Sequence, residues 1–278
     1  LEEVNRDPAS LLAAVRDADE KTLADGRTYD PSRRFPLDYE LTDKSTPYKL
    51  RAVESHIEMS DVSGAPRVVF GGKPLDLSVP MYNDFRVTTV VAPPLYYIVP
   101  PQWKEVIEVL QAHGLTLLTT TEPATIEVES YRFVDVKWAS GPFEGRLMPS
   151  FKVEPVHERR SYPAGSIVVP LAQESARVAI NLLEPEAPDS LVHWGFFNAT
   201  FEQKEYGENY VLEKLAREML AADPHLRDEY QKKLASDSKF AASPRERLQF
   251  FYRRSPYWDQ QMNLYQVGRI IAPLTVRW

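Results

Sequence analysis

LYYIVPPQWKEVIEVLQAHGLTLLT, residues 95–119, reads as strand, helix, strand and decides the fold class. Leu95 to Pro100 is a β-rich run closed by prolines. In the next fifteen residues Trp103, Val106, Ile107 and Leu110 recur at helical spacing, and Gly114 supplies the stop. The chain then returns through LTLLTT as a second strand. Upstream, residues 48–59 alternate, SDVSGAPR turns the chain, and 67–70 and 75–80 flank GGKP, which reads as a tight turn. Residues 85–93 add another strand, so the region predicts a small antiparallel sheet with one solvated face. Downstream, 124–139 alternate over the length of a long strand, and 146–171 supply two strands around a glycine-containing turn. The tail ends in IIAPLTV (270–276), expected as a strand added to the sheet.

Helix signals bracket this β-rich part. Asp7 can cap, Pro8 suits a first turn and Gly26 a stop, with Leu11, Leu12, Val15 and Ala18 on one face. Residues 29–47 carry three prolines and read as an extended linker or surface arm. After 172 the chain is mostly helical, beginning with an amphipathic helix over 173–183 that Pro185 ends. A second helix spans 209–222, with Val211, Leu215 and Met219 on one stripe. Asp223-Pro224 caps a third, with Leu226, Tyr230 and Leu234 four apart. Ser243-Pro244-Arg245-Glu246 opens a fourth through Tyr252. The class that follows is α+β, a mixed, mostly antiparallel sheet with a C-terminal helical layer. Its expected parts are 1–47, 48–171 and 172–278, the last two sharing a core.

With 278 residues, a chain of this kind buries roughly 75% of its unfolded surface. A net charge of −7 argues against a nucleic-acid partner. No run of eighteen apolar residues suggests a membrane span, and no segment has the layout of a signal peptide. The lack of cysteine excludes disulfides, thiolate nucleophiles and cysteine-ligated zinc. Because the first residue is Leu1 rather than methionine, a processed product or a fragment of a longer polypeptide is expected.

Motifs for chemistry are sparse. The five histidines form no HxxE, HExxH or HxH; His56 and Glu58 could share a strand face, as a solvated face also would. There is no GxSxG and no SxxK. Gly71-Gly72-Lys73 is too short for a phosphate loop and reads as a hairpin turn. Glu184, Glu186 and Asp189 could serve acid–base chemistry, which wants carboxylates in unlike environments, but flanking Pro185 and Pro188 suggest a wet turn. Asn198-Ala199-Thr200 matches the glycosylation sequon. Phe250 to Arg254 could stack bases, or pack a helix with ion pairs. Trp194, Phe197 and Phe201 are spaced as one helical face, to be read as core or as a docking surface. Around it the candidate surface comprises Glu184, Glu186, Asp189, His193, Trp194, Phe197, Lys204, Glu205 and Tyr206.

PPQWKEVIEVLQAHG, IEVESYRF and above all INLLEPEAPDSLVHWGFFNATFEQKEY resemble a particular group. They are similar to the region that follows the catalytic domain in bacterial zinc metallocarboxypeptidase-like proteins of the carboxypeptidase A superfamily. LEEVNRDPASLLAAV resembles the segment just after that domain. In that family zinc sits on an HxxE pair and a later histidine, with a glutamate as general base. None of those motifs matches here, so no catalytic or metal residue carries over. The resemblance implies zinc in a catalytic domain upstream in the same polypeptide, which is the expected partner, and export from the cell. The leading expectation is a non-catalytic accessory region that shapes the cleft, docks that domain or mediates homo-oligomerisation. The alternatives are a peptide- or cell-wall-glycan-binding module using Trp194, and an independent hydrolase using Glu184, Glu186 or Asp189.

Overall fold

The computed structural model describes residues 2–274 together with 277. The chain divides into two units: Leu1–Tyr29, Pro94–Pro185 and Asp189–Trp278 form the larger, Asp30–Pro93 and Glu186–Pro188 the smaller. The larger begins with helices α1 (Glu2–Arg6) and α2 (Pro8–Asp25). The Asp7 carboxylate accepts from the Ser10 amide at 3.0 Å, the expected cap. The expected apolar face is not a buried one, since Leu11, Leu12 and Val15 are all exposed. Burial grows only toward the C-terminal end, where a Cβ at Gly26 would stand 2.0 Å from the Leu171 carbonyl oxygen. Close backbone approach at that glycine, rather than a leucine stripe, anchors the helix.

The smaller unit holds strands β1 (Phe35–Leu41), β2 (Thr46–Met59), β3 (Pro66–Met81) and β4 (Phe85–Val91). β1 pairs antiparallel with β4, so part of the expected linker is a strand. Pro36 is compatible with this because the two-stranded sheet has only edges. β2 pairs with β3 in a hairpin closed by Ser60–Ala65, with Gly64 at φ 68°. GGKP is not a turn. β3 runs through it, with Val53 opposite Pro74 and Ser55 opposite Phe70, so residues 71–73 bulge against Glu54. Lys73 donates to Glu54 at 2.9 Å across the bulge.

The hairpin's apolar residues lie on different faces on the two sides of the bulge. Before it, Tyr48, Leu50 and Ala52 lie opposite Val79, Leu77 and Leu75 on one face. Beyond it, Ile57 and Met59 lie opposite Val68 and Pro66, with Phe70 beside them, on the other face. No residue of either strand is buried, and Ile57 and Phe70 are 73% and 72% exposed. The expectation of one apolar and one solvated face therefore fails: three residues of β3 oppose one of β2 at the bulge, which keeps the faces in phase, while the apolar residues pass from even to odd positions in β2 and from odd to even in β3.

In the larger unit the strand–helix–strand unit forms as β5 (Tyr96–Val99), α3 (Lys104–Ala112) and β6 (Leu118–Thr119). Val106 and Leu110 are fully buried, and Gly114 turns the chain at φ 71°. β7 (Ala124–Trp138), β8 (Pro149–Tyr162), β9 (Ile167–Pro170) and β10 (Gly268–Ile270) complete a sheet of order β6-β9-β5-β10-β7-β8. Every neighbouring pair is antiparallel. The last strand lies earlier than the apolar run predicted; only Ile270 of that run joins it, and Thr275 and Val276 fall outside the described residues. Ile98, Ile126, Val128, Tyr162, Val168 and Ile270 make one core cluster.

Gly268 is where β10 enters this core. A Cβ there would lie 2.3 Å from the Tyr162 hydroxyl, 2.9 Å from Val128 Cγ1 and 3.0 Å from Ile98 Cγ2. Gly268→Ala is expected to cost about 1–3 kcal/mol by overpacking, measured by chemical denaturation. Wild-type stability in that variant would mean that β10 is not seated between β5 and β7.

The C-terminal helices are α4 (Ala176–Leu183), α5 (Asn209–Ala222), α6 (Pro224–Ser236), α7 (Ser238–Ala242) and α8 (Pro244–Tyr252). Asp223 caps α6 through the His225 and Leu226 amides, and Ser243 caps α8 through the Glu246 amide. The buried stripe of α5 is Leu212 and Ala216, one position on from the expected one, and Val211 is exposed. Ala216 joins Leu226, Tyr230, Phe240, Phe250 and Phe251 in a second core cluster. The basic–aromatic run is thus helix packing: Arg254 lies 3.8 Å over the Phe250 ring and donates to Glu229 at 2.7 Å. The molecule is a mixed α+β fold with antiparallel sheets.

Candidate functional site

α4 ends at Leu183, and the next residue, Glu184, is turned inward rather than into water. It is 1% exposed, which corrects its reading as part of a wet turn. The carboxylate faces three strands. Tyr97 on β5 donates to Oε1 at 2.6 Å and Tyr131 on β7 to Oε2 at 2.9 Å. Arg269 on β10 donates through Nε to Oε1 at 2.9 Å and through Nη1 to Glu129 Oε2 at 2.6 Å. Tyr265 donates to the Leu183 carbonyl at 2.8 Å, fixing the backbone beside the acid.

A buried carboxylate without partners would be strongly disfavoured. Here both oxygens accept, and one guanidinium serves two acids. Burial alone would lower the Arg269 pKa, but Glu184 foremost, with Tyr131, Tyr97 and Glu129, reverses this and holds it above the usual arginine value. Burial, reinforced by the Glu184 charge, pushes the Tyr97 and Tyr265 phenols well above ten. The cluster is a charge-satisfied lock between α4 and the sheet. With its lone pairs engaged, Glu184 is poorly placed to accept a proton from a substrate.

The other sequence candidates separate around it. Glu186 and Asp189 are exposed, and Asp189 Oδ1 accepts from Trp194 Nε1 at 3.2 Å. Trp194 is half-buried against Phe143, ring centroids 6.2 Å apart, and offers no open stacking platform. The segment is not helical at Trp194, because Gly195 takes φ 72° and a Cβ there would meet the Leu147 carbonyl at 2.7 Å. A short 3-10 turn, Asn198–Phe201, follows. Phe197 is wholly buried between Trp103 and Tyr265 at 4.7 and 5.1 Å, and His193 stacks on Phe151 at 4.9 Å. Of the two readings of these aromatics, Phe197 takes the core one. Lys204, Glu205 and Tyr206 are exposed, Lys204 paired with Glu202 at 2.8 Å. Asn198 of the sequon donates to the Leu147 carbonyl at 2.9 Å.

His56 and Glu58 do share a strand face, 3.6 Å apart, but Glu58 is also held by Arg67. Among the described residues no group of three or more His, Cys, Asp or Glu is placed to hold a metal ion. No helix of the described residues is long and apolar enough to cross a membrane. The sequence reading missed Tyr97, Tyr131, Tyr265, Arg269 and Glu129. One signal was present: Arg269 interrupts the apolar VGRIIAPL, and a charge in such a strand must find a counter-ion.

No family model and no solved structure matches the chain. Part of it is similar to the Carboxypeptidase 2 proteins of Trichophyton tonsurans, Trichophyton rubrum and Trichophyton equinum, each 27% identical over 118 residues. That stretch is 40% of this chain and 22% of each relative's length. The likeness is distant, and what it gives is a carboxypeptidase-related region.

Proposed function

We propose that the chain is a non-catalytic accessory region of a zinc carboxypeptidase-like protein, and that it docks a catalytic domain through the β2–β3 hairpin. The observation that carries this is the hairpin's exposed apolar surface, Tyr48, Leu50, Leu75 and Leu77 on one face and Ile57, Val68 and Phe70 on the other. A lone two-stranded hairpin is marginal in water, and exposed apolar clusters of this kind mark a docking site. The partial likeness to Carboxypeptidase 2 supports the choice of partner. On this reading that domain lies upstream in the same polypeptide and carries the zinc and the general base, in an exported protein. The chain then shapes access to its cleft.

Peptidase turnover by the chain alone, and its co-elution with a separately produced carboxypeptidase catalytic domain, test the reading. No turnover and stable co-elution are expected, with Ile57→Asp and Phe70→Asp together weakening the complex at least tenfold. Turnover by the chain alone would remove the accessory role. Co-elution undiminished in the double variant would remove the hairpin. A change in the chain's own mass by light scattering would make a second copy the partner instead.

A further inference from the structure

A cleft of about 310 Å³ lies in the larger unit between the start of α3, the 198–204 segment and residues 259–266. That volume is at the small end of the usual ~300–1,000 Å³ for ligand pockets. Two of its lining residues each carry a buried polar atom without a partner. Thr200 is 6% exposed and its hydroxyl has no hydrogen-bond partner; the Trp103 indole N–H is covered and likewise unpartnered. Buried polar groups are nearly always paired, so two orphans on residues lining one cleft point to a ligand that pairs them.

The remaining lining defines the ligand's chemistry. Gln102, Gln261 and Gln266 bring amides, each both donor and acceptor, and Glu202 and Asp259 bring acceptors. Lys204 supplies the cleft's cation, but Glu202 already neutralises it at 2.8 Å. Carboxylate and phosphate ligands would therefore face Asp259 without a free counter-ion. A neutral group that both donates and accepts at several points fits better. The walls are also preset. Asn263 adopts φ 60° and its amide donates to the Thr200 carbonyl at 2.9 Å, while Gln266 Nε2 donates to the Leu264 carbonyl at 3.0 Å.

We infer that this cleft binds a neutral polyhydroxylated ligand, a single saccharide unit, with Thr200 and the Trp103 indole as its innermost contacts. Neither residue belongs to the Glu184 lock or to the hairpin, so the inference stands apart from the accessory role.

Calorimetric titration of the full chain with glucose, N-acetylglucosamine and a capped dipeptide tests it. Saturable binding of at least one sugar is expected, and none of the dipeptide. Thr200→Val and Gln261→Ala should each weaken it about tenfold. Thr200→Val keeps side-chain volume and deletes an unpaired buried hydroxyl, so its melting temperature should hold or rise, separating lost binding from lost folding. Gln261 is exposed, and its truncation leaves the fold alone. Absence of saturable binding with both sugars, unchanged affinity in both variants, or preference for the dipeptide would overturn the assignment.

Discussion

Replacing Arg269 with methionine is expected to destabilise the larger unit by about 3–5 kcal/mol, the range for removing one partner of a buried ion pair. For a body of this size that is a fall in melting temperature of about 10 °C. Methionine preserves most of the volume, so the loss is electrostatic. Glu184, 1% exposed, would keep only its two tyrosine donors, and Glu129 would lose its 2.6 Å contact. The acid is then left buried without its counter-ion. Glu184→Gln in the same background should recover a large part of the loss, because an amide needs no counter-ion and its oxygen can still accept from a tyrosine. The surface pair Arg277–Glu122, with side chains 81% and 63% exposed, is the control. Breaking it should change stability by about 1 kcal/mol at most. Denaturant midpoints of the four proteins decide the matter. An Arg269→Met effect no larger than the Arg277 control would show that the cluster is not a lock.

That lock explains what the sequence could and could not reveal. Elements whose determinants are local were legible: Asp7, Asp223 and Ser243 cap where their spacing predicts, and the 95–119 unit forms. Errors arose where local composition pointed one way and distant partners decided. Glu184 sits among prolines and acids that suggest a solvated turn, yet its partners Tyr97 and Arg269 are 87 and 85 residues away. Nothing local encodes such contacts. Gly71 and Gly72 have turn chemistry, but the ladder continues beyond them, so they absorb a bulge instead. Trp194, Phe197 and Phe201 have helical spacing, but Gly195 at φ 72° breaks the helix that spacing assumes. The cleft lining escaped notice because glutamine and threonine carry no motif; their meaning comes from burial without partners.

The buried phenols predict a steep loss of stability in alkali. An ordinary tyrosine ionises near pH 10. Burial first, and the Glu184 charge second, push Tyr97 and Tyr265 well above that, and burial pushes Tyr162 up to about 12. A phenol whose folded pKa lies above its unfolded one keeps its proton longer in the native state. Between the two values the unfolded chain binds fewer protons, so stability falls as pH rises. The stabilising contribution is complete below about pH 10 and is withdrawn through the folded pKa of each group. One such tyrosine gives a slope of about 1.4 kcal/mol per pH unit, and three together about 4. Against a typical total of about 5–15 kcal/mol, two units above pH 10 are enough to remove most or all of it. Denaturation curves from pH 8 upward, read beside tyrosinate absorbance, should show a plateau and then this decline. The absorbance of the buried phenols should appear with unfolding rather than before it. Tyr265→Phe should flatten the slope by about one-third while costing roughly 1 kcal/mol at neutral pH for its lost bond to the Leu183 carbonyl. Ionisation of every tyrosine near pH 10 with the fold intact would mean that these phenols are not sealed from water.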